Sequence, residues 1–469
     1  MQIPFDNTYV KLPDALYHRQ SAERVSDPTL IAWNSDLATE LGITSGQDAD
    51  KADIFSGNRI PDGAEPLAQL YSGHQFGNYN PQLGDGRALL LGEVVDSAGR
   101  RRDIQLKGSG RTPYSRGGDG RAWVGPVIRE FIVSEAMHTL GVPTTRALAA
   151  VTTGDMVYRE RAYPGAVLTR VAASHIRVGS FQVLAHRQEY DLLHALYSHA
   201  TQRHYPDANS PIEFLSAVVQ RQVQLVAHWL GLGFIHGVMN TDNCAISGET
   251  IDFGPCAFQD RFDTAKVFSS IDTHGRYSYS AQADIIVWNM AQLANALLPL
   301  MPDPERAAPD FQHVITRMHQ EMRNAWRNQF CAKLGITDPT EDDAELVRSL
   351  LQLMHKYELD FTLTFHALTT GSILDYAPNA DGLSDWVKRW EHRIADTDAS
   401  ALMRSKNPWI IPRNHQVERA IEAAVNNDFT VMHRMLEAVN QPFDVRDEYH
   451  EFSVAPEVSE EVTVTFCGT

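Results

Sequence analysis

Cysteine is scarce in this chain. Four residues, Cys244, Cys256, Cys331 and Cys467, are scattered through 469 positions. They are too few and too far apart for a disulfide framework, and no Cys-x-x-Cys pair suggests a zinc site. Long apolar runs are missing too. None is long enough to span a bilayer, and the opening Met-Gln-Ile-Pro-Phe-Asp has neither the basic start nor the apolar stretch of a secretory signal. A cytoplasmic protein is expected. Positive charge is in short supply, with 41 Lys and Arg against 59 Asp and Glu and a net charge of −18. That balance argues against nucleic acid or an anionic membrane as a partner and makes any basic cluster conspicuous. There is no internal repeat and no low-complexity segment. What remains, 43% apolar and 21% charged, describes a soluble globular chain of one to three domains with a large core.

The chemistry is concentrated in residues 236–254, His-Gly-Val-Met-Asn-Thr-Asp-Asn-Cys-Ala-Ile-Ser-Gly-Glu-Thr-Ile-Asp-Phe-Gly. The step from His236 to Asn243 matches the kinase catalytic-loop pattern H-R-D-x-x-x-x-N. Asp252-Phe253-Gly254 matches D-F-G, whose Asp binds the metal ions that bridge nucleotide phosphates. A D-F-G tripeptide alone is common by chance; its distance from His236 and Asn243 gives it weight. Between them, residues 244–246 and 249–251 read as short strands around a Ser247-Gly248 turn. If Ile246 pairs with Glu249, Asn243 falls opposite Asp252 with Cα atoms roughly 4.5–5.5 Å apart, and two oxygen ligands converge. The pattern breaks at Val238, which stands where a kinase has its catalytic Asp and cannot accept a proton. Asp242, beside Asn243, is the natural replacement base.

Upstream, the composition turns Gly-rich from Tyr71. Residues 82–87, Gln-Leu-Gly-Asp-Gly-Arg, lead into a strand at 88–95, and a second strand at 103–106 ends at Lys107. This is the layout of a kinase small lobe, where backbone N–H groups approach phosphates and the Lys pairs with them. Residues 126–140 read as a helix carrying Glu130 and Glu135, and a Glu from that helix is expected to hold Lys107. Glu130 is the first choice and Glu135 the second, since the two lie on different faces. The polar loop 108–121, rich in glycine and carrying Arg111, Arg116 and Arg121, suggests anion binding, with a disordered surface loop as the bland alternative. Strands at 146–152, 156–159 and 166–171 follow. The last carries Arg170, with Arg177 seven residues on; both are available for phosphates or for surface ion pairs. Helical patterns occupy 189–204, 212–232, 281–298, 311–334 and 343–357, and a shorter one covers 28–41.

Several stretches are highly specific: Gly73-His74-Gln75-Phe76-Gly77, Leu83-Gly84-Asp85-Gly86-Arg87, Gln105-Leu106-Lys107-Gly108, Thr112-Pro113-Tyr114-Ser115-Arg116, Arg129-Glu130-Phe131 and the run from His236 to Asn243. Through them the chain resembles, over most of its length, the selenoprotein O (YdiU) family, kinase-fold proteins that transfer nucleoside monophosphates to protein side chains. The resemblance implies an α+β, protein-kinase-like two-lobed fold. Residues 1–70 would be an extension packed on the core, 71–185 a mixed small lobe, 186–300 a mainly helical large lobe with the metal site, and 301–469 a helical C-terminal region with an acidic tail. It also implies a nucleotide inverted in the cleft, so that its α-phosphorus meets the acceptor. AMP from ATP, or UMP from UTP, would pass to a Ser, Thr, Tyr or His side chain of a target protein, and pyrophosphate would leave.

By match to the family's motifs, Gly84, Gly86, Arg87, Lys107, Asp119, Gly120, Arg170, Arg177 and Asp252 hold the nucleotide. The same match implies that Asn243 and Asp252 would hold Mg2+ or Mn2+ and that Asp242 would be the general base. Donors gathered around expelled pyrophosphate, which carries more charge than the leaving group of γ-transfer, would stabilise the transition state. Spacing alone leaves a γ-phosphate kinase and a non-catalytic nucleotide-binding pseudokinase open. The family's redox residue is third from the end, where Cys467 stands. Its partner cysteine in disulfide-forming members is missing from Val267-Phe268-Ser269-Ser270-Ile271-Asp272, and Cys256 is the nearest substitute.

Overall fold

The computed structural model describes residues 1–44, 46–395 and 398–466, so the expectation for Cys467 lies outside the described residues. The fold is α+β. Its sheet strands are β1 (Tyr17–Arg19), β2 (Thr29–Trp33), β3 (Leu67–Gln69), β6 (Ala88–Val95), β7 (Arg101–Lys107), β8 (Ala122–Trp123), β9 (Arg146–Tyr158) and β10 (Ala162–Ala172). They form one sheet in the order β1-β3-β6-β7-β10-β9-β2, with β8 against β10, and every pair is antiparallel. A separate hairpin, β4 (Gly73–Gln75) and β5 (Asn78–Asn80), projects toward the helical half.

Period-two alternation decides what each face of this sheet meets. On β10, Ala166 and Leu168 pack against α3 (Val124–Thr139), while Val167 and Val171 point to the opposite face. There they meet Leu37 of α1 (Ser35–Glu40) and Ile54 and Phe55 of α2 (Asp48–Phe55). The first seventy residues therefore supply both edge strands and one cover of the sheet. The helix suggested over 28–41 is in fact β2 followed by α1. Leu30 and Trp33 pair with β9, and the Asn34 side chain starts the helix by accepting the Leu37 N–H at 3.0 Å. The strands suggested at 146–152 and 156–159 are one continuous strand, because β10 pairs along both parts and absorbs the break as a bulge at Pro164–Ala166.

The helical half contains α4 (Val178–His186), which the sequence reading missed, α5 (Tyr190–His204), α6 (Pro211–Gly231), α7 (Gln282–Leu297), α8 (Pro304–Lys333) and α9 (Glu341–Lys356). Two short strands, β11 (Phe234–Ile235) and β12 (Ala257–Phe258), pair on either side of the candidate loop. Then come α10 (Phe361–Thr370), α11 (Ile373–Tyr376), α12 (Leu383–Ile394), α13 (Ala399–Lys406), α14 (Asn414–Val425) and α15 (Thr430–Val439). The last two return to the sheet half. Ile421, Met432, Met435 and Val439 share a core with Ile128, Phe131 and Ile132 of α3. Glu418 pairs with Arg129, and Thr139 Oγ1 donates to the Val439 carbonyl at 2.6 Å. No described helix is long and apolar enough to cross a membrane.

Lys333, at the end of α8, is 1% exposed. Its Nζ sits 4.2 Å from the Phe365 ring centroid and has only a 3.5 Å contact with the Lys406 carbonyl. Burial pulls its pKa down from 10.5 to about 7. Between those two values the unfolded chain binds more protons, so stability rises with pH across that window, and below pH 7 the full penalty applies. Lys333→Met should therefore stabilise the fold by about 2–4 kcal/mol near pH 6, after allowing for the lost cation–π contact. The gain should fade toward pH 10.5. Denaturant melts of both proteins at several pH values check this; a gain independent of pH would contradict a charged Lys333.

Candidate active site

Contacts from three segments fix the loop after β11. His236 is fully buried; its backbone N–H donates to Gln282 Oε1 at 3.0 Å, and its Nε2 donates to the Ile251 carbonyl at 2.9 Å. The imidazole thus ties the loop to the residue before Asp252. Thr241 Oγ1 accepts the His74 N–H at 2.8 Å and donates to Gln182 Oε1 at 2.6 Å, which anchors the loop to the β4–β5 hairpin and to α4. Val238 is buried and contributes an apolar wall.

The hairpin expected between Asn243 and Asp252 does not form as a ladder. Its turn exists, with the Gly248 N–H donating to the Ala245 carbonyl at 3.1 Å, but the arms bridge elsewhere, Ala245 to Arg177 and Thr250 to Thr144. Arms of three residues offer few mutual bonds, and the flanking segments outcompete them. Asn243 and Asp252 reach a common cavity through those outside contacts and not through a shared register.

That cavity is about 400 Å3. Its wall includes Gly84, Gly86, Arg87, Asp119, Gly120, Arg177, Asp242, Asn243 and Asp252. The glycines are there for close packing: a Cβ on Gly120 would lie 2.0 Å from the Gly110 carbonyl oxygen, and one on Gly84 would lie 2.4 Å from the Tyr114 ring. The loop 108–121 is ordered by its own bonds, Gly110 N–H to the Gly120 carbonyl at 3.0 Å and Thr112 Oγ1 to the Asp85 carbonyl at 2.7 Å. Asp119 sits in the fork of Arg159, at 2.8 and 3.0 Å. Arg159 comes from the β9–β10 turn and lines the cavity as well. Sequence reasoning missed it, and only the pairing of those two long strands could have pointed to it.

Behind the wall stand Lys107, Glu130 and Arg170, which with Asp252 make a neutral cluster of four buried charges. Lys107 Nζ lies 2.7 Å from both Glu130 Oε2 and Asp252 Oδ1. Arg170 Nε bonds Glu130, and its Nη2 donates to Asp252 Oδ1 at 3.0 Å. Glu135 faces away and pairs with Arg146 at 2.7 Å. Burial alone would raise the Asp252 carboxyl, but Lys107, Arg170 and Arg87 outweigh it and hold it well below the usual carboxylate range. Glu130 is lowered in the same way, burial being outweighed by Arg170 and Lys107.

Asp242 has the opposite environment. Its Oδ2 accepts from Gln75 Nε2 at 3.1 Å, while Oδ1 is buried without a hydrogen-bond partner. Burial pushes its pKa up to about 6, against the pull of the Gln75 bond and Arg177. Arg177 holds the loop itself: Nη1 donates to the Asp242 carbonyl at 2.8 Å, and the guanidinium stacks on Tyr71 at 4.4 Å. Gly73 leaves the space for Asp242, since a Cβ there would lie 2.3 Å from Oδ1. Gly73→Ala should displace that carboxylate and lower turnover about 10- to 100-fold, with little change in melting temperature. Unchanged turnover would mean that Asp242 is not needed where it stands.

A family profile described as "Protein adenylyltransferase SelO" matches residues 1–440. The chain belongs to the SelO family. Among SelO-family relatives, "Protein nucleotidyltransferase YdiU" of Ruegeria sp. (strain TM1040) is 53% identical, with both chains covered completely. The protein of the same description from Rhizobium etli is 50% identical over 99% of this chain and 97% of its own. That from Maridesulfovibrio salexigens is 48% identical over 100% of this chain and 98% of its own. As a SelO-family member the chain is a nucleotidyltransferase enzyme.

Proposed function

We propose that this enzyme moves AMP from ATP, with UTP as a second donor, onto a hydroxyl or imidazole of a target protein and releases pyrophosphate. The observation that carries the reading is the Asp242 carboxylate, buried and lining the same cavity as Asn243, Asp252 and the arginines. A protein-kinase-like arrangement is supported by Lys107 on a central strand meeting Glu130 on the next helix, with Asp252-Phe253-Gly254 beneath them. In the proposed reaction the acceptor oxygen attacks the α-phosphorus, its proton passes to the Asp242 carboxylate, and the bond from the α-phosphorus to the β-phosphate oxygen breaks. Arg87 and Arg177 on the cavity wall, with Lys107 and Arg170 behind it, would stabilise the charge that develops on pyrophosphate. The relatives' description as protein nucleotidyltransferases supports a protein acceptor. The net charge of −18 is consistent with a cytoplasmic enzyme that does not act on nucleic acid.

The donor set fits Mg2+ or Mn2+. Asn243 Nδ2 donates to the Val238 carbonyl at 3.1 Å, which leaves its oxygen toward the cavity. Lys107 and Arg170 both reach Asp252 through Oδ1, and the residue lines the cavity. No cluster of three or more His, Cys, Asp or Glu suited to a metal exists among the described residues. Two protein oxygens completed by substrate phosphates are the usual way Mg2+ is held in nucleotide enzymes. Such an ion would neutralise charge on the phosphates.

Labelled nucleotide tests the reading. Label from the α-position of ATP should appear on protein with stoichiometric pyrophosphate. Label from the γ-position would make the chain a kinase, and no transfer from either would leave a nucleotide-binding module.

A further inference from the structure

Beside β4–β5, next to the cavity, stands a cation that meets no carboxylate among the described residues. Arg276 lies in the segment that follows Asp252-Phe253-Gly254. Its guanidinium is 4.9 Å from the Trp288 ring centroid, and its Cζ would be 3.6 Å from a Cβ on Gly77 at the hairpin tip. Arg276 makes no ion pair among the described residues, and its Nε is buried without a hydrogen-bond partner. The carboxylate nearest in sequence, Asp272, is spent on backbone: it accepts the Arg276 and Tyr277 N–H groups at 2.9 and 2.7 Å. Buried arginines elsewhere are compensated, Arg203 by Glu93 and Asp103 and Arg413 by Asp260 and Asp360. In a chain of net charge −18, a half-buried guanidinium without an anion points to a visiting one.

The position of Arg276 is tied to the reacting groups. Tyr277 OH donates to Asn240 Oδ1 at 2.6 Å, and the Phe76 N–H points at both Asn240 Oδ1 and the Tyr277 oxygen, at 3.2 and 3.1 Å. Asn240 is two residues before Asp242, and Gln75, next to Phe76, bonds the Asp242 carboxylate. Ile271, 56% exposed, lines the same cavity. The cavity is also lined by Arg87, Arg121, Arg159 and Arg177, which suit the donor nucleotide. Phe76 and Ile271 line the cavity together with Asp242, and Arg276 lies beside them, next to Gly77.

We propose that this patch docks the acceptor segment of the target protein, Ile271 and Phe76 taking an apolar side chain and Arg276 an Asp or Glu flanking the accepting residue. The proposal rests on the nucleotidyl-transfer reading of the site. It makes acidic, amphipathic segments the preferred substrates of an enzyme that is itself acidic.

The test is transfer from α-labelled ATP to a library of Ser, Thr and Tyr peptides synthesised in matched pairs, with Glu or Gln flanking the acceptor. Wild type should favour the Glu member by about three- to tenfold in kcat/KM, mostly through KM. Arg276→Gln should erase the preference while leaving the Gln peptides unaffected, Arg276→Lys should keep part of it, and Arg276→Glu should favour Lys-flanked peptides instead. Equal rates on both members in wild type, or an equal loss on both in Arg276→Gln, would overturn the docking role and leave nucleotidyl transfer standing. No α-label on any peptide or protein would overturn both.

Discussion

Asp252→Asn should lower nucleotidyl transfer by about 10³-fold or more, and raising Mg2+ should not rescue it. The substitution preserves shape and removes one charge. Two consequences follow from the geometry. The proposed ion loses its single carboxylate, and Lys107 and Arg170 are left with Glu130 alone, so a neutral buried cluster gains a net positive charge. Removing one partner from such a cluster costs about 3–5 kcal/mol, so the nucleotide-free protein should also melt earlier. ATP binding should weaken together with turnover, since metal and phosphates are held jointly. Turnover within tenfold of wild type at saturating Mg2+ would remove Asp252 from the metal site.

Asp242→Asn should behave differently. Its Oδ1 has no hydrogen-bond partner among the described residues, and its carbonyl, which Arg177 holds, is backbone and survives the change. The loss should fall on kcat, about 10²- to 10⁴-fold for the removal of a general base, with the nucleotide Kd unchanged. The stability change should be small or favourable, because an amide costs less than a carboxylate in that buried setting. Nucleotide titration by fluorescence alongside single-turnover transfer separates the two aspartates. If Asp242→Asn weakened ATP binding and spared the chemical step, the assignment of base and metal ligand would have to be exchanged.

The parts of the site legible in the sequence are those whose partners are set by element order. A strand ending in Lys107 followed by a helix bearing Glu130 is enough to bring the two together, and Asn34 and Arg146 on the other face of α3 explain why Glu135 turns away. Legibility fails where pairing is decided at long range. Residues 244–251 look like a hairpin because their local pattern suits one, yet Arg177 and Thr144 claim its arms. Residues 28–41 have a helical apolar pattern, and the unpaired edge of β9 draws the first half into the sheet. Arg159 and Gln75 carry no pattern of their own; they matter because strand length and hairpin placement deliver them to Asp119 and Asp242.

The return of α14 and α15 to α3 affects how the enzyme is made. During vectorial synthesis the N-terminal part emerges first and begins to fold. The face of α3 that holds Ile128, Phe131 and Ile132 has its permanent cover only once residue 439 has cleared the ribosome. Glu130 projects from that same helix, so the cover supplied by α14 and α15 backs the helix that presents Glu130 to Lys107. A chain cut short before α14 would keep every candidate site residue and lose the cover of the helix that carries Glu130.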